Sequence, residues 1–211
     1  MNPFLYPEIQ HLRTQIPGRF SNHRRYKPVL RTEFERKCVY CRLPDGMKGE
    51  EAFGVDHYRP VSRFPGLACE YANLFYACNS CNSNKNDFWP SSLQWAEASF
   101  LPNPCDHRMA EHLRFEGSRV EPLTATGRFA IELLQLNDPG EIQTRDFVLR
   151  SIDRCRREWD LLQELLAQVD ARLLASQDLE RRWLLADRSA LQVEVQGLRD
   201  DLERLTGSST A

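Results

Sequence analysis

The chain has 211 residues, of which 41% are apolar and 27% charged, with a formal net charge of −2 at pH 7. That length allows one compact domain with an appendage, or two small domains. No apolar run approaches the ~18 residues of a membrane span, and MNPFLYPEIQHLRTQ lacks both the charged start and the apolar centre of a secretory signal, so a cytoplasmic chain with no membrane contact is expected. The charge is uneven: residues 1–37 carry +5, residues 38–90 carry −1 and the remainder −6. A basic front on an acidic chain fits a polyanion partner, and equally a solvated surface.

In chain order, residues 1–37 read as a basic lead-in broken by Pro17-Gly18 and Pro28, with Thr32 capping a brief helix, TEFERK, that delivers the chain to Cys38. Residues 38–90 hold short elements: AFGVDHY reads as a strand, NLFYAC as a second extended piece and NSCNSNKND as the start of a helix. Residues 91–140 are a connecting segment punctuated by Pro102, Pro104, Pro122 and Pro139, with TGRFAIELLQL as a helix. Over 141–206 apolar positions recur at three- and four-residue steps, but the two sets do not join cleanly across 174–184. That predicts two helices folded back as a hairpin or one long helix with a stutter, in either case with an apolar stripe to bury on itself or a partner. The tail, GSSTA at 207–211, reads as disordered.

Seven cysteines in a cytosolic chain are not expected to pair as disulfides. Four form two C-x-x-C pairs, Cys38/Cys41 and Cys78/Cys81, which supply two thiolates each to one tetrahedron. A closed four-thiolate shell leaves no position for water, so the zinc it suits is structural. Cys69, Cys105 and Cys155 read as ordinary buried or half-buried thiols. Around the knuckles stand Asp56, His57, Asn73, Asn82 and Lys85. A carboxylate and an amide oxygen are hard donors suited to Mg²⁺ or Mn²⁺, and an imidazole beside such an ion can act as a general base. Strict alternation would send residues 56 and 57 to opposite faces of a strand, so the pair is expected where the strand frays or turns.

The series C-x-x-C, D-H-x-x-P, N-L and C-x-x-C-N-x-x-K resembles the HNH nuclease motif, a ββα-metal fold in its cysteine-flanked variety. The resemblance implies an α+β fold: a zinc-stabilised ββα-metal core followed by a mainly α-helical C-terminal region. It also implies that Asp56 and Asn82 hold a catalytic Mg²⁺ or Mn²⁺, that His57 activates the attacking water and that Asn73 ties the loop and orients that base. Asn86 is an alternative helix ligand. Arg59, Arg63 and Lys85, with Arg24, Arg25 and Lys27 of the lead-in, are the candidate phosphate contacts; Trp89 and Trp95 suit base stacking or core packing. FLPNPCDHRMAEHLRFEGSRVEPLTATGRFAIELLQLN is similar to the segment that follows the motif in Septu-like and retron-associated anti-phage defence nucleases, which are encoded beside an ATPase. In that light Cys105, His107 and His112 are structural, DNA is the expected substrate, and the C-terminal helices serve self-association or an ATPase partner. An RNA-cleaving enzyme and a non-catalytic zinc module for nucleic acid or protein remain as alternatives.

Overall fold

The computed structural model describes residues 2–207. The lead-in crosses the surface as an extended strap, secured where the His11 amide donates to the Pro104 carbonyl at 2.8 Å. The strap then enters a 3-10 turn, His23–Tyr26, and helix α1, Lys27–Glu33. The helix expected over TEFERK therefore lies earlier in the chain. Pro28 occupies its first turn, where no backbone N–H is required. Thr32 is not a cap; its hydroxyl donates back to the Pro28 carbonyl at 3.3 Å. The chain leaves α1 through Glu35 and Arg36, both at positive φ (54° and 59°), and so turns into the first cysteine knuckle.

Strands β1 (Phe53–His57) and β2 (Leu74–Cys78) pair antiparallel, with Phe53 opposite Cys78 and His57 opposite Leu74. Helix α2 (Asn79–Lys85) starts directly at the end of β2, because the Cys78 sulfur caps it by accepting the Cys81 amide at 3.5 Å. The first knuckle precedes this β-β-α unit and the second forms its β2–α2 junction, with Cys78 ending β2 and Cys81 inside α2. After it come α3 (Ser92–Ala96), opened by a reciprocal Ser91–Gln94 capping box, and α4 (Met109–His112).

A second hairpin, β3 (Leu113–Glu116) with β4 (Arg119–Pro122), was not anticipated from the sequence. Its signal is present: Leu113 and Phe115 face inward, Arg114 and Glu116 outward, and Gly117 turns the chain at φ +59°. Helix α5 (Ala125–Leu134) is capped by Thr124 and lies so close to α4 that a Cβ on Gly127 would meet the His112 carbonyl oxygen at 1.9 Å.

Helices α6 (Pro139–Ala175) and α7 (Asp178–Thr206) form the hairpin, turning at Ser176–Gln177, within the interval where the apolar pattern breaks. Arg145 fastens the base of α6. It is 1% exposed, donates from Nε to the Ser118 carbonyl at 2.6 Å and from Nη2 to the Leu136 carbonyl, and covers the Phe115 ring. The end of α7 returns to the first knuckle: a Cβ on Gly46 would lie 2.6 Å from the Arg204 carbonyl oxygen. One continuous core thus runs from Phe4 through Leu30, Tyr40 and Phe75 to Val148 and Leu205. Gly207, expected in a disordered tail, is a buried left-handed cap of α7 (φ 71°); the rest of that tail lies outside the described residues. The fold is α+β, and no described helix is long and apolar enough to cross a membrane.

Candidate active site and metal centre

The two knuckles converge. The Sγ atoms of Cys38, Cys41, Cys78 and Cys81 all lie within 4.8 Å of one another and all four residues are buried. Tetrahedral Zn–S bonds of about 2.3 Å place sulfurs about 3.8 Å apart, and Cys41 and Cys78 stand 3.7 Å apart. Burial raises the Cys38 thiol, but hydrogen bonds from Cys41, Cys78 and Cys81 outweigh it and hold Cys38 well below the usual thiol range. Cys41 and Cys81 are pushed up, first by their hydrogen bonds to Cys38. A dication displaces the protons that crowding keeps on Cys41 and Cys81 and pairs with all four sulfurs, so the donor set fits zinc. Among the described residues this is the one cluster of its type. Cys69 and Cys105 are half-buried and Cys155 buried, all as free thiols. His107 and His112 are spent on Asn103 and on the Thr124 hydroxyl.

An open cleft of about 390 Å³ runs between β1, the segment after it and α2. Asp56, His57, Asn82 and Asn86 line it, with Pro60 and Asp87. The β1–β2 register ends at His57, so the acid and the imidazole do sit where the ladder stops. Asp56 is only 2% exposed. Its Oδ2 accepts from the Tyr40 hydroxyl at 2.5 Å and its Oδ1 from Lys85 Nζ at 2.9 Å. Burial and the neighbouring Asp56 carboxylate push the Tyr40 phenol well up, so it remains a donor. One hydrogen bond per carboxylate oxygen leaves lone pairs free, and Asp56 with Asn82 offers hard oxygen donors in one cleft. That fits Mg²⁺ or Mn²⁺.

His57 Nε2 lies 2.9 Å from the Ala68 carbonyl oxygen. A carbonyl only accepts, so Nε2 carries the proton, and in the neutral ring Nδ1 keeps its lone pair. Asn73 closes the loop between the strands, accepting the Arg59 amide at 2.8 Å and donating to the Arg59 and Leu67 carbonyls at 3.0 and 3.3 Å. The loop that presents His57 and its Ala68 partner is stapled by that one buried side chain.

His23 was missed by sequence reasoning. Its ring packs edge-on against His57 at 4.6 Å between centroids. Burial and the adjacent His57 lower its proton affinity. It belongs to the 3-10 turn whose Tyr26 is buried, and residues three apart in such a turn share a face. No local pattern connects residue 23 to residue 57.

Of the candidate phosphate contacts, Arg24, Arg25, Arg59 and Arg63 are exposed, the first two directly following His23 and the others following His57. Lys27 is tied to the Glu50 carbonyl at 2.7 Å. Lys85 corrects the expectation: it is 1% exposed and spends its ammonium on Asp56 and on the His57 carbonyl at 2.7 Å, where no phosphate reaches it. Placed three residues after Asn82, it faces β1 from the same side of α2. Trp89 is half-buried among Tyr58, Phe64 and Trp95, while Trp95 is exposed.

Residues 38–88 match the family model described as HNH endonuclease. The chain is 26% identical over 103 residues to the Septu protein PtuB of Bacillus thuringiensis, a match covering 48% of this chain and 37% of that protein. No solved structure matches it.

Proposed function

We propose that this chain is a metal-dependent HNH endonuclease that hydrolyses phosphodiester bonds of nucleic acid, with DNA as the substrate, and that it serves anti-phage defence. The observation that carries the reading is the meeting of Asp56, His57 and Asn82 in one cleft, beside a four-cysteine centre, within the segment that matches the HNH family. A divalent ion held by Asp56 and Asn82 would offset charge on the phosphate and on the departing oxygen. His57 takes a proton from the attacking water at Nδ1, while Nε2 stays bonded to Ala68 and fixes the ring plane. Asn73 keeps that carbonyl and the imidazole in register, and Arg24, Arg25, Arg59 and Arg63 hold the polymer backbone. The α6–α7 hairpin, with Leu174 and Trp183 exposed, serves assembly with a second copy or a partner ATPase.

The test is cleavage of plasmid, labelled single-stranded DNA, duplex DNA and total RNA with Mg²⁺ or Mn²⁺, comparing wild type with His57→Ala. The reading expects ion-dependent cutting of DNA, lost in the variant. Cutting confined to RNA would move the substrate. Equal rates in both proteins would remove His57, and no cutting of any substrate would leave a zinc-built binding module.

A further inference from the structure

We propose that Tyr40 is a positioning residue for the Asp56–His57 dipeptide, making the four-cysteine centre and the cleft one mechanical unit; this rests on the nuclease reading above. Tyr40 lies inside the first knuckle, between Cys38 and Cys41, and is fully buried. Its hydroxyl ends on Asp56 Oδ2 at 2.5 Å. The backbone around it is fixed on both sides: the Val39 amide donates to the Tyr76 carbonyl at 2.9 Å, and the Tyr6 hydroxyl donates to the Tyr40 carbonyl.

The opposite oxygen of Asp56 is held from the other knuckle. Helix α2 is capped by Cys78, and four residues beyond Cys81 it presents Lys85, whose Nζ bridges Asp56 Oδ1 and the His57 carbonyl. Each knuckle therefore supplies one donor to the same carboxylate. Whatever holds the four sulfurs together sets the separation of those donors, and with it the plane of the Asp56 carboxylate. Phenylalanine would fill the same buried volume, so packing does not explain a hydroxyl here. A buried hydroxyl is costly unless hydrogen-bonded, and this one has the carboxylate as its partner. Groups behind a metal-ligating side chain tune its affinity and geometry, and losing them typically costs 10–100-fold in ion affinity or activity.

The experiment is Tyr40→Phe in the full chain, compared with wild type and with 4-aminophenylalanine at position 40, which restores a donor at the same place. Zinc content, thermal midpoint, Mn²⁺ affinity of the free protein by electron paramagnetic resonance, and cleavage kcat and KM are measured on each. Tyr40→Phe is expected to keep its zinc and its melting transition. Its Mn²⁺ affinity and kcat fall roughly 10–100-fold, its KM for nucleic acid holds, and the amino analogue recovers most of the loss. Unchanged Mn²⁺ affinity and kcat in Tyr40→Phe, beside an active wild type, overturn the positioning role and leave the nuclease reading standing. A Tyr40→Phe protein that loses its zinc or its fold also overturns it, because the hydroxyl then serves the whole core. Wild type that neither binds Mn²⁺ nor cuts overturns the nuclease reading, and the positioning role goes with it.

Discussion

The knuckle-bounded core and the α6–α7 hairpin place their charges in opposite ways. In the core, Asp45, Asp56 and Lys85 are buried and paired: Asp45 with Arg31 at 2.5 Å and Tyr76 at 2.9 Å, Asp56 with Tyr40 and Lys85. In the hairpin beyond Arg145 at its base, Arg172–Glu180 and Arg188–Asp170 lie in water, and burial follows a thin stripe that includes Leu162, Leu173 and Leu184. The core has short elements that cannot pack alone, so polar pairing and thiol clustering fix their positions. The hairpin has length, and its backbone hydrogen bonds are satisfied internally whatever its side chains do.

The sharpest way to break this comparison is to open the cysteine centre. A strong chelator removes zinc from this site, and with it a binding energy on the order of 10–16 kcal/mol from folding; Cys78→Ser takes away one of the four ligands. The core is expected to lose its near-ultraviolet circular dichroism, while much of the far-ultraviolet helical signal persists in the hairpin. Simultaneous loss of both signals would mean that the two regions do not differ as described.

Next in size is Lys85→Met, which leaves the Asp56 carboxylate, 2% exposed at the edge of the cleft, without its cationic partner. Removing one partner of a buried pair costs about 3–5 kcal/mol, read as a fall in the denaturant midpoint. The double variant with Asp56→Asn should recover part of that loss.

Acid addresses the strap. Glu33 is buried, which pushes its carboxyl up. Amide donors from Thr14 and Gln15, with Tyr71 and His11, more than offset this and hold it below the usual range. Its contribution is therefore present above the unfolded value of about 4.3 and is lost as pH falls through the depressed folded value. Hydrogen exchange of the Thr14 and Gln15 amides should accelerate as pH falls through that range, once corrected for intrinsic rates. Amides still protected once the Glu33 carboxyl has taken up its proton would show that Glu33 does not hold the strap.

The smallest effect is expected in the hairpin. Arg172→Ala removes an exposed pair and should cost less than about 1 kcal/mol, falling further with salt.

What the sequence disclosed follows the same division. Both knuckles, the two strands, α2 and the break between the long helices rest on local spacing or periodicity, so they were readable. The inward turn of Lys85 was not, because a lysine one turn after Asn82 carries the same pattern whether it meets solvent or a carboxylate. His23 was invisible for a different reason: its contact with His57 spans the whole of α1 and the first knuckle and depends on where Tyr26 is anchored. The β3–β4 hairpin was legible from its alternation and Gly117, but the prolines around it suggested irregular chain. The start of α1 was misplaced because Pro28 was treated as a breaker rather than a first-turn residue.

The return of α7 to Gly46 has a temporal consequence. Leu202 and Leu205 join the same core as Phe4 and Tyr40, and the cap at Gly207 would crowd the Lys37 side chain if it carried a Cβ. During synthesis the first knuckle emerges about 170 residues before this closing turn, a separation read from the numbering. A nascent chain therefore lacks one wall of this core until residues 202–207 have been made and have left the exit tunnel.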